Sequence, residues 1–226
     1  GVAAIALSEA PNAAAFFILQ IALYFVSLFA LLAGVSSARA ENEEWPILFA
    51  QPIPRAACVL GKFVALWAIF SGVLALLFIP ALFGEGSPAA LAQLYLHTLG
   101  LAAIFGSLGL CAGIIGHDRV QALVLGVSAW LFLLFGVDLL ALLAAQSASL
   151  QKAPDLWVAM LMANPLDAFR IQALFAMEQI PAEAANKTPL AAWWLTHASL
   201  WFAIVSAAWS AALLFLTSRR LERAEI

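Results

Sequence analysis

Long apolar runs separated by brief polar breaks constrain this chain more than any motif in it. The runs cover roughly 13–36, 57–80, 91–115, 120–145 and 192–217. Each exceeds the ~18–20 apolar residues that carry a helix across a bilayer. They are continuous, whereas the strands of a transmembrane barrel would alternate apolar and polar positions. The expectation is an all-α polytopic membrane protein, one transmembrane domain over 1–226 with five complete spans. Charged residues make up 10% of the chain and hydrophobic ones 65%, where soluble proteins carry about a quarter charged. Mean hydropathy is +1.01. With a net charge of −3 and no basic tract, no nucleic-acid partner is expected.

Lysine and arginine placement predicts the orientation. With five spans, Arg39, Arg55, Lys62, Arg119, Arg219, Arg220 and Arg223 fall on one side, and Lys152, Arg170 and Lys187 on the other. The excess assigns 37–56 and the C-terminus to the cytoplasm. Residues 1–7 read as the end of a helix whose beginning precedes the sequence.

The long polar interruption at 37–62 reads SARAENEEWPILFAQPIPRAACVLGK. It gathers Glu41, Glu43 and Glu44, turns amphipathic through Trp45, Leu48 and Phe49, and closes on Pro52-Ile53-Pro54-Arg55. An acidic, proline-punctuated helix between two spans is expected to dock another protein.

A second departure from plain hydropathy is 156–180, whose centre carries Asn164, Pro165, Asp167, Arg170 and Gln172. On a lipid-facing helix each charge would cost roughly 2.5–3.5 kcal/mol. The cheaper arrangement has Asn164 capping a new helix, Pro165 at its first position and Asp167 in its first turn. We therefore expect 156–162 to be a re-entrant or interfacial piece and 165–179 an amphipathic helix at the outer membrane surface. Asn164, Asp167 and Arg170 are the candidates for an outer gate or partner contact.

Residues that could carry chemistry are few. Gly61-Lys62 lacks the upstream glycine of a phosphate-binding loop, so no nucleotide site is expected and energy must come from a partner or an ion gradient. Asp138 is the one carboxylate inside a span, a functional candidate because burying it is costly; capping, or pairing with Arg170 or Lys152, would account for it equally. His97 and His197 fall near outer helix ends, and His117 in a turn. No His-x-x-x-His spacing supports a metal, and interfacial hydrogen bonding is the plainer role. Met160, Met162 and Met177 could offer thioethers to Cu(I) but also suit ordinary apolar faces. The two cysteines, Cys58 and Cys111, read as packing residues. Trp157, Trp193 and Trp194 fall near the outer interface, while Trp67, Trp130, Trp201 and Trp209 fall inside spans as packing residues. Gly109 and Gly113 form a GxxxG pair that invites close helix packing, within this chain or against a second copy.

Taken in order, a span, an acidic stretch, an amphipathic helix, Pro52-x-x-Arg55, Gly61-Lys62 opening the next span and an outer helical segment before the last span resemble the ABC-2 (type V) permeases of ABC transporters. The runs Trp130-Leu-Phe-Leu-Leu-Phe-Gly-Val-Asp138-Leu-Leu-Ala-Leu-Leu and Leu161-Met-Ala-Asn164-Pro165-Leu-Asp167-Ala-Phe-Arg170 are similar to members that serve assembly of the copper sites of nitrous oxide reductase. Glu44-Trp45-Pro46 stands where the family commonly has a Gly-Thr-Leu-type run.

The resemblance implies six spans in the intact protein and a bacterial inner-membrane location. It implies a coupling helix at 37–56 docking on cytoplasmic ATPase subunits through Glu41, Glu43, Glu44, Trp45, Leu48, Phe49 and Arg55. It also implies a homodimer and a periplasmic accessory partner beside the membrane lipid. ATP and Mg would sit in the partner ATPase, with no cofactor and no catalytic residue in this chain. Alternatives are a generic ABC-2 exporter of a lipid, drug or other small molecule, an ion-coupled secondary transporter using Asp138, and a structural subunit of a larger complex.

Overall fold

The computed structural model describes residues 17, 19–40, 54–79, 88–146, 154–176 and 189–223. Glu41, Glu43, Glu44, Trp45, Leu48, Phe49 and Met177 lie outside the described residues, as do 1–7. Among the described residues there is no strand. Helix α1, Ser27–Ala40, follows a π-helical segment, Ile21–Val26. Helices α2 (Arg55–Phe78) and α3 (Pro88–Ile115) come next. Then α4, Arg119–Leu131, continues through a second π-helical segment, Phe132–Gly136, into α5, Val137–Ala145. Two shorter helices follow, α6 (Pro154–Ala163) and α7 (Pro165–Ala176). The described chain ends with α8 (Pro189–Thr196) and α9 (Ala198–Arg223).

Among the described residues five stretches are long and apolar enough to cross a membrane: Ile21–Ala40, Arg55–Phe78, Leu91–Ile115, Arg119–Leu140 and Ala198–Arg223. The last begins later than the apolar run at 192 suggests. Its start is set by a break at His197, whose backbone N–H is shared between the carbonyls of Trp193 (3.1 Å) and Trp194 (3.0 Å). The Trp193 ring also stacks on the His197 imidazole, centroids 5.1 Å apart, which leaves α8 as a separate short helix.

Helix α3 is the axis of the bundle. Some 72% of its spanning window is buried, against 11% for α2 and 17% for the α4 stretch. It has no charged residue along its length, so it can be surrounded by protein without unpaired charge. Its crossing with α1 is unusually close because both sides are glycine: a Cβ on Gly109 would meet the Leu31 carbonyl, and one on Gly34 the Gly106 carbonyl. The partner of the Gly109–Gly113 pair is thus α1 of the same chain. On the opposite flank, Ser206 Oγ of α9 donates to the Gly100 carbonyl at 3.0 Å.

Peripheral helices are tied on by polar side chains. Trp67 Nε1 of α2 donates to the Leu99 carbonyl (3.2 Å), and Tyr95 donates to the Ser71 carbonyl (3.0 Å). Outward, α2 and α4 carry exposed Leu60, Val64, Ile69, Val73, Val120 and Val124, the composition of lipid-facing surface.

One end of the bundle collects basic side chains on helix termini. Arg55 Nη1 donates to the carbonyls of Leu221 (2.6 Å) and Glu222 (3.3 Å) at the end of α9. Lys62 Nζ reaches the Ser37 carbonyl near the end of α1 (3.3 Å), and Arg39 Nη1 the His117 carbonyl just past α3 (3.3 Å). Cations there complete carbonyls that the helix leaves open and sit at the negative end of its dipole.

Candidate functional site

At the other end of the bundle α6 and α7 form a hairpin whose tip, Ala163–Asn164, is inserted among the spans. The tip is locally determined by sequence. Asn164 precedes Pro165, whose missing N–H costs nothing at a first helical position, and Asn164 Oδ1 accepts the Leu166 N–H (3.3 Å) as an N-cap. The last carbonyls of α6 would be unsatisfied inside the bundle. Two indoles of α9 complete them: Trp201 Nε1 donates to Met162 O (2.9 Å) and Trp209 Nε1 to Ala163 O (3.0 Å). Trp130 of α4 likewise donates, to Ser27 Oγ at 2.9 Å. The in-span tryptophans are therefore hydrogen-bond donors as well as packing residues.

Helix α7 differs from the surface helix expected from its pattern. Leu166, Ala168, Phe169, Gln172 and Ala173 are all buried, and Phe169 packs against Phe202 of α9 with centroids 5.6 Å apart. Its polar strip is turned partly onto other helices: Asp167 is buried there, while Arg170 stays partly exposed. The helix touches both π-helical segments. In the second of these the ladder shifts to a wider turn, with the Val137 N–H on the Phe132 carbonyl. Such turns recur at functional sites. The Leu133 carbonyl inside it accepts Asn164 Nδ2 at 2.8 Å.

The other Asn164 N–H goes to Asp167 Oδ2 (2.6 Å). Asp167 Oδ1 accepts from Arg170 Nη2 (2.7 Å), and the same nitrogen lies 3.6 Å from Asp138 Oδ1. The three candidates of 164–170 and Asp138 therefore form one cluster. Its parts differ in character: the Asp167 side chain is 6% exposed, while those of Arg170 and Asp138 are 39% and 45% exposed.

Depth follows from helix geometry. At about 1.5 Å per residue, Asp138 stands about 28 Å along the helix from Arg119, close to the ~30 Å of a hydrocarbon core. It therefore sits near the membrane boundary opposite Arg119 and not at mid-span. Leu133, and with it the hairpin tip, lies about one and a half turns deeper.

The histidines do not meet. His97 Nε2 pairs with Ser199 Oγ at 3.0 Å and its ring packs on Phe202, whereas His197 is exposed and stacked on Trp193. Among the described residues no three His, Cys, Asp or Glu side chains are grouped to hold a metal. Met162 is buried in the core, and both cysteines are unbridged.

Two of these parts carry little signal in the sequence. The indole donors of α9 had a signal in Trp201 and Trp209, two helical turns apart on one span. The second π-helical segment had only a faint one in Gly136, where a Cβ would meet the Phe132 ring at 2.6 Å. Compared with known proteins, the chain matches no family model and no curated sequence.

Proposed function

We propose that this chain is the membrane-spanning permease subunit of an ABC transporter of the ABC-2 (type V) kind. It would work as a homodimer in a bacterial inner membrane, powered by separate cytoplasmic ATPase subunits that hold the ATP and Mg. The observation that carries this reading is the hairpin of α6 and α7, placed just before the last span and bonded across its tip to both α4 and α9. An element held by two spans at once moves whenever those spans shift relative to each other. ATPase closure would push on the acidic stretch at 41–49, rock the spans, and displace the hairpin and its charged cluster. Transport or signalling to a periplasmic partner would follow at the outer face. A NosY-like role in maturation of a copper enzyme is the narrower form of this proposal, supported by the likeness of 130–143 and 161–170.

Co-purification with a candidate ATPase tests it, comparing wild type with an E41K/E43K/E44K variant. Loss of the ATPase from the variant supports docking; equal binding by both sinks the assignment. A second reading, an ion-coupled carrier, draws on the Asp138–Arg170–Asp167 cluster, because ionisable groups inside membrane proteins commonly line ion paths.

A further inference from the structure

Where α1 ends and α3 turns into α4, the surface folds into a cavity of about 330 Å³ lined by Ser36, Arg39, Ala40, His117, Asp118 and Arg119. Arg39 commits only Nη1, to the His117 carbonyl. Its Nε and Nη2 are shielded from solvent and have no hydrogen-bond partner among the described residues. The guanidinium charge beside the cavity is thus only partly compensated, which favours an anion there. Asp118, the one acid among the described residues of the wall, is already engaged, accepting the Gln121 N–H at 2.7 Å. Arg119 makes no ion pair among the described residues. The cavity also opens at the positive end of the α4 dipole.

Two arginines in one wall call for an anion, and the surroundings say which kind. Exposed Ile115, Val120 and Val124 continue from the rim along the bundle as an apolar strip, which a free ion has no use for. The helix ends around the cavity are also ends of spans, at Ala40, Ile115 and Arg119, which sets it at the depth of lipid phosphates. Basic pockets between spans bind anionic head groups in this way. We propose that this cavity is a binding site for an anionic phospholipid, its phosphate on Arg39 and Arg119 and its acyl chains along Val120 and Val124.

The full chain in detergent would be titrated with phosphatidylglycerol, phosphatidylcholine or inorganic phosphate, with bound species counted by native mass spectrometry. Phosphatidylglycerol should bind in preference. An R39Q/R119Q variant should weaken that binding by about tenfold or more, as expected for two cations at a membrane surface, and leave phosphatidylcholine unchanged. The R219Q/R220Q control, with equal charge loss on α9, should change it by less than about twofold. R119Q alone, at an exposed side chain, should cost about threefold and serves if the double variant does not fold. V124Q should weaken the lipid without affecting phosphate. Equal phosphatidylglycerol binding by wild type and R119Q overturns the proposal, as does equal binding of the two lipids. Competition by inorganic phosphate at the lipid's own concentration would mark an ion site instead and overturn it too.

Discussion

Asn164 Nδ2 donates to the backbone carbonyl of Leu133 at 2.8 Å, joining the tip of an inserted hairpin to a π-helical turn in a span. Both amide hydrogens of Asn164 are used, the second on Asp167, and its oxygen caps α7. One side chain therefore fixes the hairpin to α4 and starts the helix that leads back outward.

Replacing Asn164 with Ala removes the cap and the bond to Leu133, and should destabilise the folded chain by about 2 kcal/mol. Asn164→Asp should be worse, because it adds a charge beside Asp167 and points an acceptor at the Leu133 carbonyl. Thermal unfolding in detergent should rank wild type above N164A and N164A above N164D. If N164D matches wild type, the tip is not held as described.

Trp201 and Trp209 complete the carbonyls of Met162 and Ala163. Phe keeps most of the ring and loses only the N–H. Each substitution should cost about 0.6 kcal/mol, the usual worth of a side-chain hydrogen bond within a membrane bundle. Because the two indoles serve neighbouring carbonyls of one helix end, W201F/W209F should lose more than the sum of the singles. A double-mutant cycle on unfolding midpoints reads this directly, and strict additivity would show that the bonds act independently.

The α1–α3 crossing gives a sharper contrast. A Cβ at Gly109 meets the backbone of Leu31, whereas at Gly72 on α2 nothing lies within 4 Å. Gly109→Ala should force the helices apart and lower stability by about 1–3 kcal/mol, the range of overpacked cores. Gly72→Ala should be neutral or stabilising by up to about 1 kcal/mol through helix propensity. Expression and unfolding midpoint of the two variants, measured side by side, check the difference.

The all-α architecture and five long apolar helices are legible in the sequence because an apolar run longer than a bilayer is thick leaves a chain little else to become. Their ends are legible where a residue dictates them, as at Pro54 before α2 and Asp118 before α4. The placement of α7 is not. Its Asp167 and Arg170 strip suits a surface helix equally well, and only pairing with Asn164 and Asp138 lets that strip turn inward. Arg170 is legible as one possible partner for Asp138, but the two stand 32 positions apart, and no local pattern chooses it over Lys152. The α1–α3 contact was half legible: Gly109 and Gly113 announce a close neighbour, but Gly34 alone does not say it is the one.

Asp138 separates the two functional readings. Its bond to Arg170 is 3.6 Å long and both side chains are about two-fifths exposed, so it should contribute no more than about 1 kcal/mol. Asp138→Asn should leave stability almost unchanged. Arg170→Gln should cost about 2 kcal/mol, because it strips the nearly buried Asp167 of its charged donor. A permease driven by an ATPase should keep most of its ATP-dependent activity in D138N and lose it in R170Q, since the second variant loosens the hairpin. An ion-coupled carrier predicts the reverse order, with D138N abolishing transport outright and without any ATPase present. Transport in proteoliposomes, run for both variants with and without the ATPase, decides between them; activity that survives D138N removes the carrier.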